Sequence, residues 1–220
     1  MHPWLNKSCK LFILIPFRLY IKINSELRVL GIDDLPHKRT QAGDKILAIG
    51  TIFRGGKFMD GLLTTHITCD GDDSTSCFIN MINKSKNKSQ LRVILTDGIT
   101  FGGFNVIDLH KINKKTNIPV ISVVRHKPHY DKIKRAVKNV SHWEHKWHLI
   151  EKAGKIHETI ITNKTLNKPD NIFFQCAGIT PAKAAKILQL TTKHGVIPEP
   201  LRMSHIIGSG LYFGESRGHA

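Results

Sequence analysis

Two apolar runs in this 220-residue chain each stop on a carboxylate. ELRVLGID delivers Asp33, and RVILTD delivers Asp97. If both runs are central strands of one sheet, their ends can meet. Two carboxylates a few ångströms apart repel unless a cation or a shared proton offsets the repulsion. Mg²⁺ fits such a pair, with Mn²⁺ as the alternative: it takes oxygen ligands, is satisfied by one or two carboxylates and keeps positions open for water and phosphate. An ion held there activates water and steadies charge on a phosphodiester. Asp34 and the DGDD cluster (Asp70, Gly71, Asp72, Asp73) add further acids at strand ends or helix starts. The competing reading is that these aspartates cap turns.

GVIPEPLRMSH supplies a second group. Pro200 favours a helix start, and Glu199 suits the positive end of its dipole. Arg202 and His205 then share a face at i, i+3. After Asp97 come Gly98, Phe101, Gly102, Gly103, Phe104 and Asn105, where a helix would be expected. The glycines permit close backbone approach. A phenylalanine could stack, and Asn105 could read a polar edge. Equally, the phenylalanines could be core and the glycines a tight turn.

These residues need elements to place them. ELRVLGID reads as a buried strand, and KILAIGTIFRGGKFMDGLLTTHITC as a hairpin turning at Gly55-Gly56. Asp72, Asp73 and Ser74 offer N-cap chemistry to a helix with Thr75, Phe78, Ile79 and Ile82 on one face. RVILTD is the next strand, followed by a helix around Val106 to Lys115. IPVISVV is another strand. Basic helices are expected near Tyr130 to Val140 and Trp143 to Lys152. Gly154 to Asp170 reads as an insertion or mobile loop. NIFFQCAG reads as the last strand. Thr180 caps a helix with Pro181 in its first turn, and Pro198-Glu199-Pro200 opens a helix to about Leu211. The pattern predicts an α/β fold, a mixed sheet flanked by helices, in the strand order of a ribonuclease H-like domain, an order that several unrelated folds share.

Charge narrows the partners. The chain has 33 Lys and Arg against 17 Asp and Glu, a net +16 with His neutral. Residues 1–110 carry +4 and residues 111–220 carry +12. A basic second half suits a polyanion, either nucleic acid or an anionic membrane, and charge that merely keeps the protein soluble is the competing reading. Arg125, Lys127, Lys132, Lys134, Arg135 and Lys138 crowd one strand end and one helix, where they would neutralise backbone phosphates. HWEHKWH lacks the paired Cys or closing His motif of a zinc site, and its Trp143 and Trp147 suit an apolar stripe. Cys9, Cys69, Cys77 and Cys176 show no metal spacing, so reduced thiols in a cytoplasmic protein are expected. LFILIPFRLYIKI (11–23) is short of the roughly 20 apolar residues of a bilayer span. Residues 1–25 are therefore expected to form an apolar extension without stable membrane association, ahead of one domain, 26–220.

Taken together, LGIDD, DGLLTT with HITCDGDD, LTDGITFGGFN and IPEPLR-x-x-H resemble the endonuclease dU family, a former domain of unknown function related to endonuclease V. The resemblance runs from about Leu27 to Ala220, including GESRGHA. It implies an endonuclease V-like, ribonuclease H-like fold. It also implies Mg²⁺-dependent cleavage of DNA beside a deaminated base, uracil or hypoxanthine, with no organic cofactor. Alternatives are action on inosine-containing RNA, or nucleic-acid binding without catalysis.

By that resemblance Asp33 and Asp97 are metal-binding and catalytic, and His205 takes the position of an acidic or histidine residue on the last helix. Endonuclease V carries a glutamate where this chain has Thr65, His66 and Ile67, so Asp70, or failing it Asp73, is the candidate third carboxylate. The glycine–phenylalanine loop 98–105 becomes the lesion pocket, since an inspected base must leave the stack and enter a close-fitting slot. Phe58 and Met59 fall at the strand-separating wedge. Arg202 joins Arg125, Lys127, Lys132, Lys134 and Arg135 as a contact to the nucleic-acid backbone.

Overall fold

The computed structural model describes residues 21–35, 41–163 and 168–216. Most of the apolar 11–23 run, Cys9 and the end of the GESRGHA tail lie outside the described residues. Ile21 and Ile23, at the end of that run, pack against the core.

Seven strands form one mixed sheet: β1 (Arg28–Asp34), β2 (Lys45–Arg54), β3 (Phe58–Thr68), β4 (Val93–Asp97), β7 (Val120–Val124), β8 (His157–Ile161) and β9 (Asp170–Ala177). Their order is β3-β2-β1-β4-β7-β9-β8. The β1, β4 and β7 trio is parallel, and the outer strands run antiparallel to their neighbours. Two short strands, β5 (Thr100–Phe101) and β6 (Asn105–Val106), pair separately. The sheet flanked by helices confirms the ribonuclease H-like expectation.

Alternation along the central strands builds two cores. Leu30, Ile32, Ile94 and Val120 face α1 (Ser74–Lys84) and α2 (Leu109–Thr116). Val29, Val93, Leu95, Ile121 and Val123 face α5 (Pro181–Thr191) and α6 (Glu199–Phe213). Two further helices, α3 (Tyr130–Val137) and α4 (Trp143–Lys152), extend the α1–α2 side through Val106, Leu149 and Ile150.

Three expectations need correction. The 154–170 segment contains β8, whose Glu158 and Ile160 alternate outward from an edge strand, so its polar composition reflects exposure rather than a loop. Val106 belongs to β6, and the helix begins at Leu109, capped by Asp108, which accepts from the Lys111 N–H at 2.9 Å. Asp73 does stand at the N-cap of α1, but its carboxylate turns back to the Thr68 N–H. The Ser74 N–H bonds instead to Asn105 Oδ1. Thr180 caps α5 as expected, and Gly55 and Gly56 turn the β2–β3 hairpin with positive φ.

Candidate active site

The parallel trio ends on one side of the molecule, which brings its terminal acids together. In register, Ile32 pairs with Thr96 and Thr96 with Ser122, so Asp33 and Asp97 follow on adjacent strands. Both point to the face covered by α6. Gly31 lets that helix approach, because a Cβ there would lie 2.5 Å from the Pro200 carbonyl carbon. Thr51 Oγ1 donates to the Pro200 carbonyl at 2.6 Å, and Ser204 Oγ lies 3.0 Å from both the Gly31 and Pro200 carbonyl oxygens. Pinned in this way, α6 sets His205 Nδ1 3.2 Å from Asp33 Oδ2.

Electrostatics bear on the pair. Asp33 is only 5 % exposed. Burial pushes its carboxyl upward, opposed by its hydrogen bond to His205. Asp97 remains accessible to water at the strand mouth, yet protein crowds it closely enough for desolvation to dominate. That desolvation, with the negative charges of Asp33 and Asp34, pushes its carboxyl up to about 7. Among the described residues nothing donates a hydrogen bond to it. Two close carboxylates, one with unused oxygens, suit a divalent cation. No three His, Cys, Asp or Glu side chains among the described residues form a preformed metal cage. The sparse pair suits Mg²⁺, which keeps several of its waters.

Neither Asp70 nor Asp73 is brought to this pair. Asp70 takes a left-handed backbone (φ 50°) and accepts the Phe104 N–H at 2.7 Å. Asp73 binds Thr68, Asn105 and Lys45, which together hold its carboxyl down at about 2 against the cost of burial. The carboxylate beside the pair is Asp34, whose Oδ2 accepts the Gly102 N–H at 2.7 Å. Its signal in the sequence was adjacency to Asp33 alone.

The loop after Asp97 is built differently from the expectation. Phe101 is buried edge-on to Phe78, with ring centroids 4.8 Å apart. Asn105 is buried and holds Ser74, Thr68 and Asp73 together. Gly102 and Gly103 turn β5 into β6 with positive φ, where Asp34 and Asp70 bolt the loop down, and Phe104 is half-buried on the same turn. Of the six loop residues, only Gly98 lines the neighbouring cavity. This cavity of about 110 Å³ lies on the opposite sheet face, walled by Ser122, Tyr130, Ile133, Ile150 and Gln175. Its Gly98 wall directly follows Asp97 in the chain, and Tyr130 and Phe174 are its aromatic walls.

Phe58 and Met59 are 64 % and 41 % exposed, but at the wrong end of the sheet for a wedge. The hairpin tip pairs with Arg28 whereas Asp33 pairs with Ile49, a separation of about 17 Å along the strand. Arg202 is held by Glu199 Oε2 at 2.7 Å and so braces the start of α6. Arg125, Lys127, Lys132, Lys134 and Arg135 are exposed. Arg125 and Lys127 follow β7 at the Asp97 end, and Lys134 lies 4.8 Å over the Trp147 ring. In HWEHKWH, His142 bonds Asp72, and Trp147 donates to Glu151. Among the described residues no helix is long and apolar enough to cross a membrane.

Comparison with known proteins agrees with this geometry. The UPF0215 protein of Methanothermobacter thermautotrophicus is 48 % identical over 200 residues, covering 90 % of this chain and 94 % of that protein. A crystal structure of a protein of unknown function from Archaeoglobus fulgidus superposes with TM-score 0.73 at 35 % identity, over 84 % of this chain and 98 % of that one. Endonuclease V of Ciona intestinalis, solved with a 24mer DNA containing an inosine followed by a ribo-adenosine, superposes with TM-score 0.55 at 17 % identity. That match covers 86 % of this chain and 87 % of the other and shows a shared fold. The family profile described as endonuclease dU matches residues 25–212, and the chain belongs to that family.

Proposed function

We propose that this chain is a metal-dependent endonuclease that cuts DNA beside a deaminated base, uracil or hypoxanthine. One observation carries the reading: Asp33 and Asp97 end adjacent parallel strands beside His205, and Gly98, the residue after Asp97, lines a neighbouring cavity. An apolar cavity of about 150 Å³ holds benzene. This one is smaller, at about 110 Å³, and partly open, so an extruded base would enter it edge first with the rest of its ring system at the mouth. Asp33 and Asp97 would hold Mg²⁺ or Mn²⁺, with Asp34 reinforcing the negative field. A divalent ion there would supply Lewis-acid activation of water and charge stabilisation at the phosphodiester. His205, braced by Asp33, would orient water or a phosphate oxygen. Tyr130 would pack against the base, and Arg125, Lys127 and Lys132 would hold the backbone.

The test is a labelled duplex with one deoxyuridine, incubated with Mg²⁺ or EDTA. A nick that needs Mg²⁺ and drops at least about a hundredfold in Asp97→Asn is expected, since even outer-shell changes at metal sites cost about 10–100-fold. Binding without any metal-dependent nick would instead mark a non-catalytic binder. The ribo-adenosine beside inosine in the Ciona complex motivates a second reading, cleavage of inosine-containing RNA. Matched DNA and RNA strands separate the two.

A further inference from the structure

We propose that Ser122 and Gln175 read the edge that deamination creates, a ring N–H beside a carbonyl. The inference rests on the cavity taking an extruded base, as in the nuclease reading above, and goes on to say how that base would be told from its parent.

Ser122 on β7 and Gln175 on β9 are cross-strand partners in register, so their side chains share one face. Both are more than nine-tenths buried, and both line the cavity. The Gln175 amide cannot rotate freely. Its Nε2 donates to the Gly154 carbonyl at 2.7 Å, a group that can only accept. That contact fixes Oε1 as an acceptor, and among the described residues no group donates to it. The Ser122 hydroxyl likewise has no hydrogen-bond partner among them. Yet among the described residues every fully buried side-chain polar atom is satisfied. The two unused atoms therefore retain access to space, and the space beside them is the cavity. Ile99, Val124, Ile133, Ile150 and Phe174 make most of the remaining wall, with Thr100 and Tyr130 adding two further hydroxyls. A buried pair of one acceptor and one hydroxyl in a mostly apolar hole is how a small-ligand site fixes orientation.

The chemistry of the pair selects among bases. Cytosine N3 and adenine N1 are acceptors, and each is flanked by an exocyclic amine. Deamination replaces the amine with a carbonyl and puts a proton on the ring nitrogen. Uracil and hypoxanthine then share an N–H next to a C=O, which meets Gln175 Oε1 and the Ser122 hydroxyl. Cytosine or adenine would set an acceptor lone pair against Oε1, leaving buried polar groups unpaired. Thymine and guanine also carry the N–H and carbonyl edge, so the pair does not reject them. The thymine methyl and the guanine amine are left to the tight apolar walls.

The experiment measures binding and nicking separately on the unmodified chain. Duplexes carry one uracil, one hypoxanthine, one cytosine, one thymine or one N3-methyluracil at the same position. Binding is measured in EDTA, and nicking in Mg²⁺. Uracil and hypoxanthine should bind about tenfold to a hundredfold more tightly than cytosine or N3-methyluracil, the range for one bidentate base contact. Ser122→Ala and Gln175→Met should lower the uracil-over-cytosine ratio by a similar factor while leaving the uracil-over-thymine ratio in place. N3-methyluracil bound as well as uracil would overturn the inference, whatever the variants do, and would leave the nuclease reading standing if nicking persists. Selective binding without nicking would uphold the recognition pair and defeat the nuclease instead.

Discussion

At the scale of the residue, Asp97 carries the sharpest consequence. Its carboxyl sits at about 7 in the folded chain against 3.8 ordinarily, through desolvation first and the neighbouring aspartates second. Between those values the folded state binds more protons than the unfolded one, so stability falls as pH rises through this window. The metal-free chain should accordingly unfold at lower urea at pH 8 than at pH 5. Because the side chain is water-accessible, screening limits the effect to about 1–2 kcal/mol. Mg²⁺ should raise the midpoint more at pH 8 than at pH 5, and Asp97→Asn should flatten both responses. A midpoint independent of pH from 4 to 8 would show that the Asp97 carboxyl is not raised in the folded chain. The sequence made this pair visible because an acid ending a buried strand is a local pattern. Asp34 and Gln175 were not visible in the same way. Their importance comes from partners 68 and 21 residues away, Gly102 and Gly154, which only the fold brings near.

At the scale of the element, the placement of His205 depends on how close α6 comes to β1. Gly31→Ala puts a methyl into the Pro200 backbone. Overpacking of this kind costs about 1–3 kcal/mol, readable as a lower urea midpoint. Because the strain moves α6 itself, nicking should fall further than the same loss of stability placed in α5 would cause. A second joint lies at Lys146, fully buried in α4. Its ammonium donates to the Asp70 and Gly71 carbonyls and to Asp72, tying α4 to the turn between β3 and α1. Lys146→Met keeps the stem but strands those acceptors, a loss of about 3 kcal/mol to be read by denaturant unfolding. In the sequence this lysine looked like one more member of a solvated basic helix. Helical periodicity can say which face a residue shares, but not that an acidic turn 74 to 76 residues earlier packs onto that face. The same limit hid β8, where exposure on an edge strand leaves little apolar signal.

At the scale of the whole molecule, charge and topology converge on one end of the sheet. The +12 half of the chain supplies the loop after β7, and Asp97 pairs with Val123 just before that loop begins. Arg125 and Lys127 thus stand beside the acids, and Lys132 lies on α3, whose Tyr130 and Ile133 wall the cavity. An acidic pair at the centre of a basic rim draws in a polyanion while keeping a cation at the point of contact. Such a rim holds phosphates without reading sequence, so affinity should fall linearly with salt on logarithmic axes. Replacing Arg125, Lys127 and Lys132 by Gln should reduce that slope by about 2–3, at about 0.9 per lost phosphate contact. The loss should be equal for uracil-containing and undamaged duplexes, measured by titration at several salt concentrations. On the proposed reading the rim and the cavity would separate as two contributions, one setting how tightly any duplex is held and the other which base is kept. A triple variant whose salt slope matched the parent would place the nucleic-acid path elsewhere, away from the acids that the fold took the trouble to align.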